Sequence, residues 1–165
     1  METTDKIINS FCVALEKNGW IIKKTNMETS NLPECINRYN KIPTEYTRFL
    51  SGIRSCTNSD ETVWMLGTED FGMQADAFKW NEFEIISLQA AADAEDKEWE
   101  TRIKDFWNHH LPFCLSVKGG YSYYAIRMED GIVVRGAEPE FEDTTETAAS
   151  FREFMEMVCR KEISL

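Results

Sequence analysis

The stretch LSVKGGYSYYAIRMEDGIVVRG, residues 115–136, decides the fold of this chain. Within it, SYYAIRM alternates in the way typical of a β-strand that faces two different environments. Gly119-Gly120 and Asp130-Gly131 separate this run from FCLSV before it and IVV after it. Such pairs are typical of two-residue hairpin turns, because these turns need positive φ angles. The stretch therefore predicts a three-stranded antiparallel meander.

Alternation also assigns the meander's side chains to faces of the sheet. Tyr124 and Ile126 are expected on one face and Tyr123 on the other, since successive side chains of a strand point to opposite sides. By the same rule, Phe113 and Leu115 in the preceding strand are expected to share a face.

The glycines could instead belong to a phosphate-binding loop, which would indicate an enzyme. Such a loop needs a helix directly after the glycines, so that its N-terminal amides point at the anion. The residues after Gly120 alternate as a strand, and neither GxGxxG nor the Walker pattern occurs. The sequence therefore favours turns over a phosphate site.

Helical periodicity surrounds the meander. Helices are predicted over residues 5–18 (ending at Gly19), 42–53 (IPTEYTRFLSGI), 95–108 and 148–158, with a short helix near NEFEIISLQ. WIIKK and TVWML read as short strands, SCTNSDE as a polar turn, and GTEDFGM as a loop. Asp143 or a nearby threonine is expected to cap the last helix. This order predicts an α+β fold, in a single domain over residues 1–165.

Composition narrows the class of function. The 165 residues are 42% hydrophobic and 12% aromatic, enough for one domain with a real core. With 18 basic and 29 acidic residues, the net charge is −11. That charge repels phosphate backbones and attracts a basic partner, although it also suits mere solubility. With no signal peptide and no transmembrane segment in the sequence, we expect a cytoplasmic protein and no membrane partner.

No motif indicates catalysis, a metal or a cofactor. The five cysteines are scattered without CxxC spacing, and are expected to be reduced core residues. His109 and His110 are adjacent, whereas metal-binding pairs on helices usually stand four residues apart. They are interpreted as residues placed favourably at a helix C-terminus. A hydrolase using two carboxylates stays open, because the separation of carboxylates in space decides that chemistry.

A partner-binding surface is the more informative possibility. The acidic segment EPEFEDTTE follows the meander and is interpreted as a loop. Exposed tyrosines beside carboxylates are typical of a surface that binds a basic protein. The candidate residues are Glu138, Glu140, Glu142, Asp143, Tyr121 and Tyr123. Two alternatives stand beside this: the tyrosines pack beneath a helix, or the charge run is simply solvated.

Residues 42–158 resemble the SUKH superfamily, which includes bacterial immunity proteins and a fungal regulator of cell-wall synthesis. The resemblance lies in IPTEYTRFL, VWML, LPFCLSVKGGYSYYAI, DGIVV and ASFREFMEMV, in that order. It implies an α+β domain without enzymatic activity. Its bacterial members bind and neutralise toxins, often nucleases.

The leading hypothesis is therefore a cytoplasmic immunity protein that binds a basic toxin domain. The alternative is a regulatory adaptor for a host protein, as the fungal relatives suggest, and a small carboxylate-using hydrolase is a third. The sequence leaves the toxin, the binding face and the oligomeric state open.

Overall fold

The structure of the protein, a computed structural model, describes residues 2–72 and 78–165. Its helices are α1 (Glu2–Lys17), α2 (Thr44–Gly52), α3 (Glu82–Asp93), α4 (Lys97–Asn108) and α5 (Phe151–Cys159). Its strands are β1 (Ile21–Lys24), β2 (Ile53–Thr57), β3 (Val63–Met65), β4 (His110–Ser116), β5 (Ser122–Arg127), β6 (Val133–Ala137) and β7 (Glu140–Ala148). Short 3₁₀ turns cover Thr29–Asn31, Glu34–Arg38 and Thr68–Phe71. The predicted α+β class is confirmed.

The strands form one antiparallel sheet in sequence order, from β1 at one edge to β7 at the other. The predicted three-stranded meander corresponds to β4, β5 and β6. Gly119, Gly120 and Gly131 have φ angles of 69°, 123° and 78°, which confirms the positive φ expected there. The hairpin loops are longer than the two residues predicted, since residues 117–121 and 128–132 lie between the strands.

Helices pack on both faces of the sheet, and aromatic side chains mark the two layers. On one face, Phe113 of β4 contacts Tyr46 of α2 and both Phe151 and Phe154 of α5. α1 joins this layer, where Phe11 lies 6.5 Å from Phe154 between ring centroids. We call it the α1/α2/α5 layer.

The other layer belongs to α3 and α4 and lies over the β7 end of the sheet. Tyr123 of β5 packs against Trp107 of α4 and Phe83 of α3. Phe83 also stacks on Phe141 of β7, with ring centroids 4.6 Å apart and planes at 11°. We call it the α3/α4 layer.

Two strands correct the predicted element map. β2 covers the start of SCTNSDE, which the sequence predicts as a polar turn, and its Ile53 and Cys56 are buried. β7 replaces the predicted acidic loop. Apolar and polar residues do not alternate regularly along β7, because an edge strand of a sheet exposes much of its surface to water.

Two local predictions were also wrong. Ser150, and neither Asp143 nor a threonine, caps α5: its hydroxyl accepts a hydrogen bond from the Glu153 amide at 3.0 Å. Phe113 and Leu115 do not share a face, because the β4–β5 register shifts between Pro112 and Cys114. Leu115 pairs with Tyr123, on the face of the sheet that the α3/α4 layer covers. Phe113 lies on the opposite face, in the α1/α2/α5 layer. A bulge of this kind reverses the alternation on which the prediction depends.

The predicted loop around GTEDFGM contains the 3₁₀ turn over Thr68–Phe71, and Met73 lies outside the described residues. Among the helices of residues 2–72 and 78–165, none has the length and apolar character needed to cross a bilayer.

Candidate functional site

A wide bulge in β7 shapes the surface where most of the candidate residues lie. Ala137 of β6 pairs with Glu140, and Arg135 pairs with Thr145, so one residue of β6 faces residues 141–144 of β7. The ring of Tyr123 lies across Gly136, where an added Cβ would be 2.5 Å from the tyrosine oxygen. Its hydroxyl donates a hydrogen bond to the carbonyl of Phe141.

Tyr123 is therefore a core residue, 1% exposed, which corrects the expectation that it anchors a partner. The alternative stated with that expectation, that the tyrosine packs beneath a helix, is what the structure shows. Burial raises the pKa of its hydroxyl. The neutral hydroxyl fixes the bulge by bonding to one of its carbonyls.

Glu142 also turns inward. Its Oε2 accepts hydrogen bonds from Ser87 of α3 and from the indole N–H of Trp107 in α4, both at 2.8 Å. The side chain is half-buried and joins the bulge to both helices. The carboxylate is thus engaged within the fold, and its assignment to the partner-binding surface stays a prediction.

The remaining candidates, Tyr121, Glu138, Glu140 and Asp143, form what we call the acidic edge. The Glu138 amide donates to the Tyr121 carbonyl at 2.9 Å, which joins the β4–β5 loop to the turn between β6 and β7. The three carboxylic residues are exposed. In the part of the chain that the structure describes, no ion pair involves any of them. Binding by these residues stays a prediction.

Tyr121 packs against two aromatic rings and is partly exposed to solvent. It is 36% exposed, and its ring lies 5.7 Å from that of Phe83 and 5.8 Å from that of Phe78. An aromatic ring fixed by neighbours loses little conformational freedom when a partner packs on it. The tyrosine therefore has the geometry of a contact residue.

Helix α3, which borders the acidic edge, has polar residues on its inner face. Arg38 forms a two-pronged ion pair with Glu84, with both N–O distances 2.7 Å, and also donates to Asn108 at 2.8 Å. Glu84 is only 6% exposed, and the neighbouring Ser87 bonds to Glu142. On the same helix, Ile85 and Ile86 are each 37% exposed.

Sequence reasoning missed this arrangement. The run EFEIISLQAAA has apolar residues in several directions around the helix, so no single stripe identifies its buried face. The contact from Arg38 to Glu84 spans 46 residues and could not be read from local spacing. A glutamate between apolar neighbours was the one available signal, since a charge at such a position is buried only when it is paired.

A second concentration of carboxylates lies at the opposite end of the sheet. A groove of about 410 Å³ runs over β1 and β2 and is lined by Ile21, Thr57, Glu61, Glu69 and Asp70, among others. Asp70 accepts a hydrogen bond from the Gly67 amide at 2.7 Å, and burial raises the pKa of its carboxyl to about 6. One oxygen of this carboxyl therefore accepts a hydrogen bond within the Gly67–Asp70 turn and stabilises that turn. The hydrolase alternative stays a hypothesis.

The histidines lie at the end of α4, as expected. Each donates its Nδ1–H to a carbonyl four residues earlier, His109 to Asp105 at 2.8 Å and His110 to Phe106 at 2.7 Å. His110 also stacks on the Phe106 ring, and burial lowers its pKa. Within the described ranges, no group of three or more His, Cys, Asp and Glu side chains could hold a metal ion.

No protein-family model matches the chain, and no curated protein matches its sequence. The SUKH resemblance therefore rests on the motifs quoted above.

Proposed function

We propose that this chain is a non-enzymatic protein-binding domain of SUKH type, an immunity protein that captures a basic toxin domain in the cytoplasm. The observation that carries the proposal is the acidic edge: three exposed carboxylates, outside every ion pair of the described residues, beside the half-anchored ring of Tyr121. Carboxylates without internal partners keep their full charge available for an incoming cation.

Electrostatics favours a toxin that acts on nucleic acid. Proteins that bind phosphate backbones carry clusters of Lys and Arg. A protein with net charge −11 attracts such a surface at long range and speeds the encounter. Tyr121 would then supply short-range contact, since tyrosine is among the residues that contribute most at interfaces. The proposed mechanism is occlusion of the toxin's basic face, with no chemical step.

The first experiment is co-expression with the toxin domain encoded by the adjoining gene. We expect growth to be rescued and a stoichiometric complex to be purified. A chromosomal neighbourhood without any toxin-like gene, or no rescue by the folded chain, contradicts the proposal. Recovery of a host protein and no toxin would favour the adaptor alternative.

The second experiment tests whether the charges that speed association with the toxin lie at the acidic edge. Glu138→Gln/Glu140→Gln is compared with Glu16→Gln/Glu28→Gln, which removes the same charge from exposed sites outside the acidic edge. We expect the first pair to slow association about three- to tenfold at low salt, and the difference to shrink as salt is added. Equal slowing by both pairs would mean that only the overall charge matters.

A further inference from the structure

We propose that a pocket between the sheet and the segment after α5 binds a phosphate group, either as the free ion or on a small phosphomonoester. The pocket has a volume of about 240 Å³. The polar side chains that line it are those of Ser116, Lys118, Ser122, Tyr124, Arg135 and Ser164. We call it the cationic pocket. Phosphate binding there goes beyond the proposed function and needs no toxin.

Strand register places four of these side chains on one face of the sheet. Ser122 and Tyr124 alternate along β5 and therefore share a face. Ser116 of β4 pairs with Ser122. Arg135 of β6 pairs with Tyr124, and paired residues of neighbouring strands point to the same side. Tyr124 packs against Phe154 of α5, with ring centroids 5.0 Å apart, so this is the face that the α1/α2/α5 layer covers.

The segment after α5 forms the opposite wall of the pocket and is fixed to the fold. Ile163 is buried, and its amide donates to the Met157 carbonyl at 3.3 Å. The Glu162 amide donates to the same carbonyl at 2.8 Å. These contacts hold the start of the segment at the end of α5, and Ser164 after it lines the pocket together with Lys118.

The charge of the pocket is opposite to that of the molecule. The chain has 29 acidic and 18 basic residues, yet Lys118 and Arg135 line the pocket and, among the described residues, no Asp or Glu does. Neither cation belongs to an ion pair of the described residues, whether with a side-chain carboxylate or with the main-chain carboxylate at Leu165. Glu138 approaches the same loop at Gly120 without lining the pocket. Both cations are therefore available to an anion, the guanidinium as a planar fork and the ammonium as a point charge.

Hydroxyl groups supply further donors. Ser116 Oγ accepts a hydrogen bond from the Lys118 amide at 3.2 Å, so its own O–H is left to donate. Burial raises the pKa of the Tyr124 hydroxyl, although Arg135 beside it acts in the opposite direction, so the phenol is protonated at neutral pH. A phosphomonoester offers three acceptor oxygens and nearly two negative charges, whereas a carboxylate offers two oxygens and one charge. Two cations with several hydroxyls therefore fit phosphate better than a carboxylate.

This arrangement differs from the phosphate-binding loop that the sequence argues against. A loop of that kind presents amides at the start of a helix. In the cationic pocket the donors are side chains on a sheet face and at the start of the Gly119-Gly120 loop. The two glycines keep their role as turn residues.

Titration of the isotope-labelled chain with inorganic phosphate, at constant ionic strength, tests the site through amide chemical shifts. We expect saturable shifts at residues 116–124, 135 and 163–165, with a Kd of about 1 mM or tighter. Acetate should bind at least about fivefold more weakly, because it offers fewer acceptors and less charge. Shifts that do not saturate, shifts centred elsewhere, or acetate binding as tight as that of phosphate overturns the proposal.

Matched variants separate the pocket from the overall charge of the chain. Arg135→Gln is compared with Arg102→Gln, which removes the same charge from an exposed arginine of α4 that is outside the ion pairs of the described residues. We expect Arg135→Gln to weaken phosphate binding at least about tenfold and Arg102→Gln less than about twofold. Tyr124→Phe keeps the ring and should weaken binding about threefold through loss of one donor. Equal weakening by the two arginine variants, with thermal melts showing both folded, contradicts the assignment.

A parallel titration with glycerol phosphate identifies the source of the phosphate group. Tighter binding of glycerol phosphate than of inorganic phosphate assigns the pocket to a phosphomonoester, and the reverse order assigns it to the free ion. In either case Arg135→Gln should weaken both ligands at least about tenfold. If the variant binds both ligands as tightly as the wild type, the cationic pocket is not the site.

Discussion

Asp70 shows how one half-buried side chain can oppose folding and still be required locally. Its carboxyl accepts the Gly67 amide at 2.7 Å and holds the 3₁₀ turn after β3. An added Cβ at Gly67 would lie 2.3 Å from the Arg54 carbonyl, so this turn packs directly on β2. Burial raises the pKa of Asp70 to about 6. The Asp70 carboxyl thus stabilises the turn through a hydrogen bond, but its ionised form is destabilised by burial.

The pH dependence of stability follows from that raised pKa. The folded state holds the Asp70 proton up to about pH 6, whereas the unfolded chain releases it near pH 4. The contribution of Asp70 to the free energy of unfolding therefore falls as pH rises from 4 to 6. Asp70→Asn keeps an acceptor for Gly67 but cannot ionise. Between pH 4 and pH 7, we expect the free energy of unfolding of the variant to rise by up to about 3 kcal/mol relative to that of the wild type.

Urea denaturation of both proteins across this range measures the difference. Asp130→Asn is the control with the opposite sign, because its hydrogen bond with Arg127 lowers the pKa of that carboxyl. The wild type should therefore lose stability relative to the Asp130 variant as pH falls. If the free energies of unfolding of the wild type and Asp70→Asn change with pH in parallel, the pKa of Asp70 is not raised in the folded state.

At the scale of elements, α3 is held by an ion pair in place of a purely apolar stripe. Glu84 is almost fully buried, and Arg38 from the 3₁₀ turn over Glu34–Arg38 both neutralises it and reaches Asn108 at the end of α4. Removing one partner of a buried pair leaves an uncompensated charge, whereas replacing both is often nearly neutral.

Arg38→Met should therefore destabilise the fold by about 2 to 4 kcal/mol, and Arg38→Met/Glu84→Leu should recover most of that loss. Chemical denaturation of the two variants measures this difference. Arg48→Met is the matched control, since it breaks the exposed two-pronged pair with Asp5 and should change stability little. A double variant as unstable as the single one would assign the loss to packing of the arginine stem.

Elements were predictable from sequence where periodicity and burial agree. α1, α2, α4, α5 and the meander have apolar stripes or alternation that tertiary contacts reinforce. β2 and β7 lacked such a pattern, because their polar residues lie along partly open strands. Tyr121 was selected beside its glycine turn and Glu138 in the acidic segment, but the inward direction of Tyr123 and Glu142 depends on the bulge in β7. That bulge is set by Gly136 on another strand, which local spacing does not reveal.

At the scale of the molecule, a single sheet carries two separate aromatic layers. Phe154 and Phe113 lie on one side, and Phe83 and Trp107 lie on the other. β4 and β5 supply side chains to both layers, so each strand is buried by helices from above and below. If the sheet couples the layers, neither can open without exposing the other's strands to water.

The expectation of one domain over residues 1–165 is tested by weakening one layer and observing the other. Phe154→Leu, in the α1/α2/α5 layer, should lower the free energy of unfolding by about 1 to 2 kcal/mol. Native-state hydrogen exchange should then show the most protected amides of α4, in the opposite layer, losing the same free energy of opening. This follows because those amides exchange only through global unfolding when both layers melt as one unit. Unchanged protection in α4 with increased exchange in α5 would mean that the α3/α4 layer survives opening of its neighbour, and that the chain contains two cooperative units.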